Sequence, residues 1–210
     1  MGGELRGGFA LPGVSGVIMS DLRRRAAERR EAAGGVLAEL GIFERWAPHG
    51  RPCLVGSVAL DLVEEPDIDV EVYCPVPRVA AGFEVVSGLA GLPGVRRVKF
   101  TNALDLPDAG LYFQVQYERA GLTWKVDMWV LGEQHPGPRG CDLVAPLRAA
   151  LTDESRDRVL AVKEAAYARG AALGGIWVYR AVLEAGVCDY AQFRDWVADM
   201  PTGELTFWRP

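Results

Sequence analysis

The sequence predicts an α+β domain followed by a C-terminal helical segment. Between residues 51 and 131, short apolar stretches alternate with polar residues at a period of two, as "DIDVEVYC" (67–74) does, and this pattern is typical of β-strands. After residue 150, apolar residues recur at helical spacing between recognisable helix caps. With 210 residues, 50% of them hydrophobic, the chain is long enough for one domain with a core and a small helical appendage.

A first helix is expected to begin after Ser20, which suits the N-cap position and has Asp21 behind it. Apolar residues then recur at helical spacing as far as Phe43. The preceding residues 1–19 carry Arg6 as their one basic side chain and are interrupted by Gly and Pro. They make a poor secretory signal, and we expect a flexible lead-in.

The central region is predicted to contain about five strands with flanking helices. "RPCLVGS" is typical of a buried strand, "VALDLVEEP" has room for two helical turns, and "DIDVEVYC" is the second strand. A helix is expected over residues 78–90, before the "GLPG" turn. Three strands follow, "VRRVKFTNA", "LYFQVQYER" and "LTWKVDMWVL", the last two joined by a tight Ala120-Gly121 hairpin.

The C-terminal region is predicted to be helical. "GEQHPGPRGCD" is expected to be a loop. A helix with an N-cap at Thr152 ends at Gly170, a second spans about 175–185, and a third opens at "DYAQ". The predicted organisation is therefore a lead-in (1–19), an α+β domain (20–150) and a helical segment packed on it (151–210).

Composition narrows the classes of function. The net charge of −5 disfavours a general nucleic-acid surface, and no apolar run approaches the roughly 20 residues that a membrane span needs. The five arginines between Arg23 and Arg30 could contact RNA, but such a cluster is more often a solvated helix face. The four cysteines are scattered and there are two histidines, so a zinc site is not expected. We expect the cysteines to be reduced thiols in a cytoplasmic protein.

Asp67 and Asp69 form an Asp-x-Asp pair on the polar face of one strand, with Glu71 beside them. Such a pair can bind a divalent metal, supply the nucleophile and acid of a haloacid dehalogenase-type phosphatase, or simply be solvated. The phosphatase pattern requires a hydrophobic strand before the first Asp, where this chain has "EEP". A glycosyltransferase would carry a nucleotide-sugar signature, which is not seen. The metal and solvated interpretations remain.

Two further features favour metal and phosphate chemistry. Gly56-Ser57 lies where a strand leads into a helix, a position whose free backbone N–H groups suit phosphate. Asp127 lies on a later strand between apolar neighbours, "KVDMW", where a carboxylate needs a partner. Three carboxylates with a phosphate cradle are the components of a two-metal phosphoryl-transfer site.

Gly-Ser, a short helix, Asp-x-Asp and a lone Asp on a later strand together resemble the nucleotidyltransferase superfamily typified by DNA polymerase beta. The stretch "GSVALDL…DIDVEV" is also similar to the lincosamide and aminoglycoside nucleotidyltransferases, although it has Gly-Ser in place of Gly-Gly and a shorter spacer. The resemblance covers residues 52 to 131. It implies that Gly56 and Ser57 hold a nucleoside triphosphate, that Asp67 and Asp69 bind two Mg²⁺ ions, and that Asp127 binds the metal at the acceptor or acts as its base.

Three basic residues are candidates for the phosphates. Lys125 lies two residues before Asp127, where an ion pair with a neighbouring acid is equally compatible. Arg156 and Lys163, seven residues apart, share one helix face and could reach the outer phosphates, or Lys163 could pair with a surface acid such as Asp153 or Glu164. Glu71 is outside the triad.

The resemblance implies an enzyme that transfers a nucleoside monophosphate from an NTP, with ATP favoured, to an acceptor hydroxyl. A small-molecule acceptor is expected, because the acidic charge balance disfavours RNA or DNA. A tRNA or protein acceptor is the alternative within enzymes. The alternative from another class is a non-catalytic module that binds a nucleotide or a partner. No membrane partner is expected.

Overall fold

The protein is described here from a computed structural model, which covers the backbone of residues 14–210 and the side chains from residue 21 onward. Five strands form one mixed sheet in the order β1-β2-β5-β4-β3. The strands are β1 (Arg51–Val55), β2 (Asp67–Cys74), β3 (Val95–Ala103), β4 (Gly110–Arg119) and β5 (Leu122–Gly132). The helices are α1 (Val14–Leu40), α2 (Ile42–Trp46), α3 (Gly56–Ala59), α4 (Val79–Ala90), α5 (Gly140–Ala150), α6 (Asp153–Tyr167), α7 (Gly175–Ala185) and α8 (Tyr190–Val197). The predicted α+β class with a five-stranded sheet and C-terminal helices is confirmed.

Strand pairing places the two candidate acidic strands side by side. β2 and β5 are parallel and adjacent, whereas β1–β2, β3–β4 and β4–β5 are antiparallel pairs. Parallel neighbours in a sheet require a long connection, and here residues 75–121, with α4 and the β3–β4 hairpin, supply it. The alternation seen in the sequence sorts the two faces, so that Ile68, Val70 and Val72 are buried while the acids point the other way.

Two apolar clusters stabilise the chain. The first lies between the apolar face of the sheet and the C-terminal half of α1, with α2 and α4. The second joins the N-terminal half of α1 to α5–α8, together with Leu60 and Leu62. Because α1 contributes to both clusters, it connects the sheet to the C-terminal helices. The domain boundaries at residues 20 and 150 stay predictions.

Several predicted boundaries differ from the structure. The first helix begins at Val14 and not after Ser20, so residues 14–19 are helical, and the rest of the expected lead-in lies outside the described residues. The segment after β1 forms one helical turn, Gly56–Ala59, instead of two. Part of the predicted loop 132–142 is the start of α5, whose signal in the sequence is weakened by Pro146 inside the helix.

The arginine cluster of α1 is engaged in ion pairs within the chain. Arg23 contacts Asp157 at 2.5 Å, Arg25 pairs with Glu164, and Arg29 pairs with Glu64 at 3.2 Å. Arg24 and Arg30 also have acidic partners. Several of these contacts bind α1 to α6 and to the segment after α3. The side chains of Arg23, Arg24 and Arg30 remain exposed, so the cluster is a solvated helix face whose charges are paired within the chain.

Cys53 of β1 and Cys141 of α5 form a disulfide across 88 residues of sequence. The expectation of reduced thiols is therefore wrong for this pair; Cys74 and Cys188 are free. Spacing along the chain could not reveal the pair, because only the packing of α5 against β1 brings the two residues together. The cytoplasmic location stays a prediction. Within residues 14–210, each helix is too short or too polar to cross a bilayer.

Candidate active site

Asp69 and Asp127 are direct neighbours on the adjacent parallel strands β2 and β5. The register pairs Asp69 with Asp127, and Asp67 with Lys125. Residues opposite one another in a sheet point to the same face, with strands about 4.8 Å apart. The three aspartates that the sequence singled out therefore lie on one face, at the centre of the sheet.

Burial and mutual repulsion act on this group of acids. Burial, followed by the nearby carboxylates of Asp67 and Asp127, raises the pKa of Asp69 to about 7. Burial also raises the pKa of Asp67, against the opposing effect of Lys125. Carboxylates that are held together and desolvated in this way are stabilised by a bound cation.

Each of the outer aspartates has a partner within the chain. Lys125 Nζ donates to Asp67 Oδ2 at 3.1 Å. This contact is the ion pair with a neighbouring acid that was one of the two alternatives for Lys125 in the sequence. Gln114 Nε2 donates to Asp127 Oδ1 at 2.8 Å and to the Tyr112 hydroxyl at 2.9 Å. Gln114 was not predicted from the sequence, where its one signal is its place in the alternation of "LYFQVQYER".

The fit of this site to a metal rests on its donors. Asp67 Oδ1 is buried and has no hydrogen-bond partner among the described residues, as expected of an oxygen that faces a cation. As the side chains stand, no group of three or more His, Cys, Asp or Glu in the described part of the chain is arranged to hold an ion. The carboxylate of Asp67 is held by its hydrogen bond from Lys125, and that of Asp127 by its hydrogen bond from Gln114. The carboxylate chemistry of Asp67, Asp69 and Asp127 nevertheless fits Mg²⁺, which prefers oxygen ligands.

Gly56 begins α3 directly beside Asp69. Its φ is +65°, a conformation that side chains disfavour, and an added Cβ would overlap Asp69 Oδ2 and stand 2.9 Å from Asp69 Cγ. The sequence attributed the glycine to close approach of a phosphate. The structure gives a different immediate reason, which is the approach of the Asp69 carboxylate.

A cavity of about 420 Å³ opens over the acidic strands and under the C-terminal helices. Its polar lining includes Asp67, Asp69, Lys125 and Lys163, with Gly56 and Ser57 at one end. Apolar side chains of α5, of the segment leading into α7 and of α7 itself also line it: Leu143, Leu147, Leu173 and Ile176. Asp127 does not line this cavity, although it neighbours Asp69.

The two predicted cations of α6 have different positions. Lys163 lines the cavity, where its Nζ donates to the Leu62 carbonyl at 2.8 Å. Burial lowers its pKa, and the Asp69 carboxylate opposes that effect. Lys163 therefore does not pair with Asp153 or Glu164. Arg156 donates to the Leu60 carbonyl at 2.6 Å and does not line the cavity, so the structure does not bring it to the other candidates.

Tyr179 of α7 is a cavity residue that the sequence analysis did not assign to the site. Burial, followed by the charge of Asp69, raises the pKa of its hydroxyl above the usual value. The phenol is therefore a neutral donor across the physiological range. Only the packing of α7 against α6 and α8 brings this residue to the cavity that the acids line.

Glu71 holds α5 in place at the rim of the cavity. Its carboxylate accepts from the backbone N–H groups of Gly140 and Cys141, each at 2.8 Å, and from the hydroxyl of Tyr73. A carboxylate at the start of a helix stabilises it by satisfying free N–H groups. Glu71 thus has a positioning role close to the triad.

No protein-family model and no curated protein sequence matches the chain. Among solved structures, the non-canonical poly(A) polymerase complex GLD-2–GLD-3 matches with a TM-score of 0.56 at 15% identity, over 90% of this chain and 60% of that chain. A cytoplasmic RNA terminal U-transferase matches with a TM-score of 0.53 at 15% identity, over 80% of this chain and 50% of that chain. The chain thus spans between half and three fifths of the length of these structures. The resemblance to the antibiotic-modifying branch stays a prediction, and at these identities the likeness establishes the fold: the chain has the nucleotidyltransferase fold.

Proposed function

We propose that this protein is a nucleotidyltransferase that transfers a nucleoside monophosphate from an NTP to an acceptor hydroxyl. The observation that carries the proposal is the placing of Asp69 beside Asp127 on adjacent parallel strands, with a cavity that holds two lysines over Asp67 and Asp69. The fold is one that nucleotidyltransferases use, and the proposal is supported by the position of the three acids on one face of its sheet.

The cavity suits the donor NTP. Lys163 lies opposite the acids and could balance the outer phosphates, while Ser57 and the backbone at Gly56 close one end. The apolar wall of Leu143, Leu173 and Ile176 offers a surface for the base. ATP is the donor that we propose to test first.

Asp67, Asp69 and Asp127 would hold the metal, which we propose to be two Mg²⁺ ions. When bound, Mg²⁺ neutralises the triphosphate and the charge that develops on it during transfer. The buried, unpaired Asp67 Oδ1 and the raised pKa of Asp69 support this assignment.

In the proposed reaction, the acceptor oxygen forms a bond to the α-phosphorus of the NTP. The bond from that phosphorus to the oxygen bridging to the β-phosphate breaks, and pyrophosphate leaves. Asp127 would take the acceptor proton, since it neighbours Asp69 without lining the donor cavity. Gln114 orients the Asp127 carboxylate.

The acceptor that we propose is a small molecule, because the net charge of −5 disfavours a long polyanion. RNA is the second candidate, since the two structures described above are a poly(A) polymerase and an RNA terminal U-transferase. A module that binds nucleotide without turnover remains the alternative from another class.

Incubation of the protein with Mg²⁺, an α-labelled NTP and a pool of acceptors tests the proposal. We expect label to move onto an acceptor and pyrophosphate to be released, and both to stop when EDTA is added. Nucleotide binding without any transfer would instead support the non-catalytic module.

A further inference from the structure

The polar face of the sheet continues past the cavity to its far edge. Asp127 of β5 pairs with Gln114 of β4, and Gln114 pairs with Lys99 of β3. With strands about 4.8 Å apart, the Cα atoms of Asp127 and Lys99 are separated by roughly 10 Å. One row of polar side chains thus runs from the acids to the edge strand.

Two basic side chains lie at the edge-strand end of this row of polar side chains. Arg97 and Lys99 are exposed and lie on the polar face, because the alternate residues Val98 and Phe100 pack against the core. Within residues 21–210 neither forms an ion pair. Their neighbour Arg96, by contrast, pairs with Glu118 at 2.6 Å. The charges of Arg97 and Lys99 are therefore available to an anion from outside.

Between the cations and Asp127 lies a buried acceptor atom without a partner. Gln114 is 6% exposed, and its Nε2 already donates to Asp127 and Tyr112. The carboxylate accepts, so the amide nitrogen must face Asp127 and the amide orientation is fixed. Its Oε1 is buried and unpaired among the described side chains. A hydroxyl or amino group of a ligand beside Asp127 would satisfy it.

We infer that the acceptor binds on this face and carries a phosphate group. Its reacting hydroxyl would lie at Asp127 and Gln114, and its phosphate at Arg97 and Lys99. Because the long side chains of both cations can reach back over the sheet, a molecule of nucleotide size spans the remaining gap. A mononucleotide and the end of an RNA strand share this chemistry. The inference rests on the proposed transfer reaction and narrows its acceptor.

The test compares three acceptors with α-labelled ATP as the donor: adenosine, AMP and a short oligoribonucleotide. The variants are Arg97→Met, Lys99→Met and their double substitution, which remove charge and keep an unbranched side chain. Arg96→Met is the matched control, since it removes one charge from the same strand, but a charge that is already paired with Glu118. A preference for AMP identifies a mononucleotide acceptor, and a preference for the oligoribonucleotide identifies an RNA end.

We expect the wild-type protein to use a phosphate-bearing acceptor better than adenosine. The double variant should raise the KM for that acceptor by on the order of tenfold, the effect of losing a charge-assisted contact. The KM for ATP and the transfer to adenosine should be unchanged, and Arg96→Met should behave as wild type. Equal preference for adenosine, an equal effect of Arg96→Met, or an unaffected double variant would overturn the inference.

A failure of the proposed function would be visible separately, as no transfer to any acceptor by the wild-type protein. In that case, binding of AMP and of the oligoribonucleotide is measured with the donor cavity saturated by a non-hydrolysable ATP analogue. Weaker binding by the double variant, but not by Arg96→Met, would still support a phosphate site on this face. Binding that is unchanged, or absent from the wild type, would refute it.

Discussion

Gly56 and Asp69 are in direct contact, and the contact leaves no room for a side chain at residue 56. An added Cβ would overlap one carboxylate oxygen and stand 2.9 Å from Asp69 Cγ. The two residues belong to different elements, and the pairing of Val55 with Asp69 across β1 and β2 brings them together. Gly56 thus helps to fix the orientation of the Asp69 carboxylate.

This contact predicts a strong coupling between the two positions. Gly56→Ala should lower stability by more than the roughly 1–2 kcal/mol that a left-handed conformation costs a side chain, because it also displaces Asp69. In an Asp69→Ala background the overlap with the carboxylate is gone and only a tight contact of 3.1 Å with the retained Cβ is left, so the cost of Gly56→Ala should fall toward the conformational cost. A double-mutant cycle of unfolding free energies measures the difference. Additive effects of the two substitutions would contradict the contact.

Removal of charge from either neighbouring acid should stop transfer without unfolding the protein. Asp69→Asn and Asp127→Asn keep the side-chain volume, and each removes a carboxylate from the proposed metal and base positions. We expect transfer to fall by about 10²–10⁴-fold, with the melting temperature retained. The exposed loop residue Asp105 gives the control Asp105→Asn, which should keep full activity. An Asn variant at residue 69 or 127 with the wild-type rate would refute the assignment.

Lys163 should affect triphosphate binding selectively. Lys163→Met is expected to weaken NTP binding by about 1–3 kcal/mol, while binding of a nucleoside monophosphate changes far less, because the lost contact is to the outer phosphates. Arg156→Met is a matched control: Arg156 also donates to a backbone carbonyl after α3, but it does not line the cavity. Calorimetric titration of each variant with an NTP and with a nucleoside monophosphate measures the difference between Lys163→Met and Arg156→Met. If both variants weaken NTP binding equally, the carbonyl contacts and not the phosphates explain the effect.

Glu64 should make stability depend on pH. The side chain is 2% exposed, and burial raises its pKa above the usual value, although Arg29 opposes the shift. When the pKa of a carboxyl group is raised in the folded state, the folded protein loses stability as the pH rises through that pKa. Glu64→Gln keeps an acceptor for Arg29 and removes this loss, so its melting temperature relative to wild type should be higher at pH 7 than at pH 4.

The exposed Glu44 provides the comparison for this pH dependence, since Glu44→Gln removes one carboxylate that is not buried. Its effect on the melting temperature should be small at both pH values. A loss of stability for Glu64→Gln that is larger at pH 7 than at pH 4 would mean that the ion pair with Arg29 outweighs the cost of burial.

Much of the fold could be predicted from local patterns. The alternation in "DIDVEVYC" and in "LTWKVDMWVL" defines two strands and sorts their faces, since side chains in a strand point alternately to opposite sides. The N-cap of α6 at Thr152 was predicted because capping depends on residues within one turn, and it is present. The helix α5 was missed, because its N-terminal N–H groups are satisfied by Glu71, about 70 residues away.

The sequence by itself determined the α+β class and the sharing of one strand face by Asp67 and Asp69, because these features depend on the periodicity of neighbouring residues. Only the tertiary structure decided that Asp127 pairs with Asp69, that Lys163 and not Arg156 enters the cavity, and that Cys53 bonds to Cys141. Those contacts join residues far apart in the chain. They depend on the strand order, on the packing of α5 against β1 and on the packing of α6 against α1 and the segment after α3. No local pattern in the sequence encodes that packing.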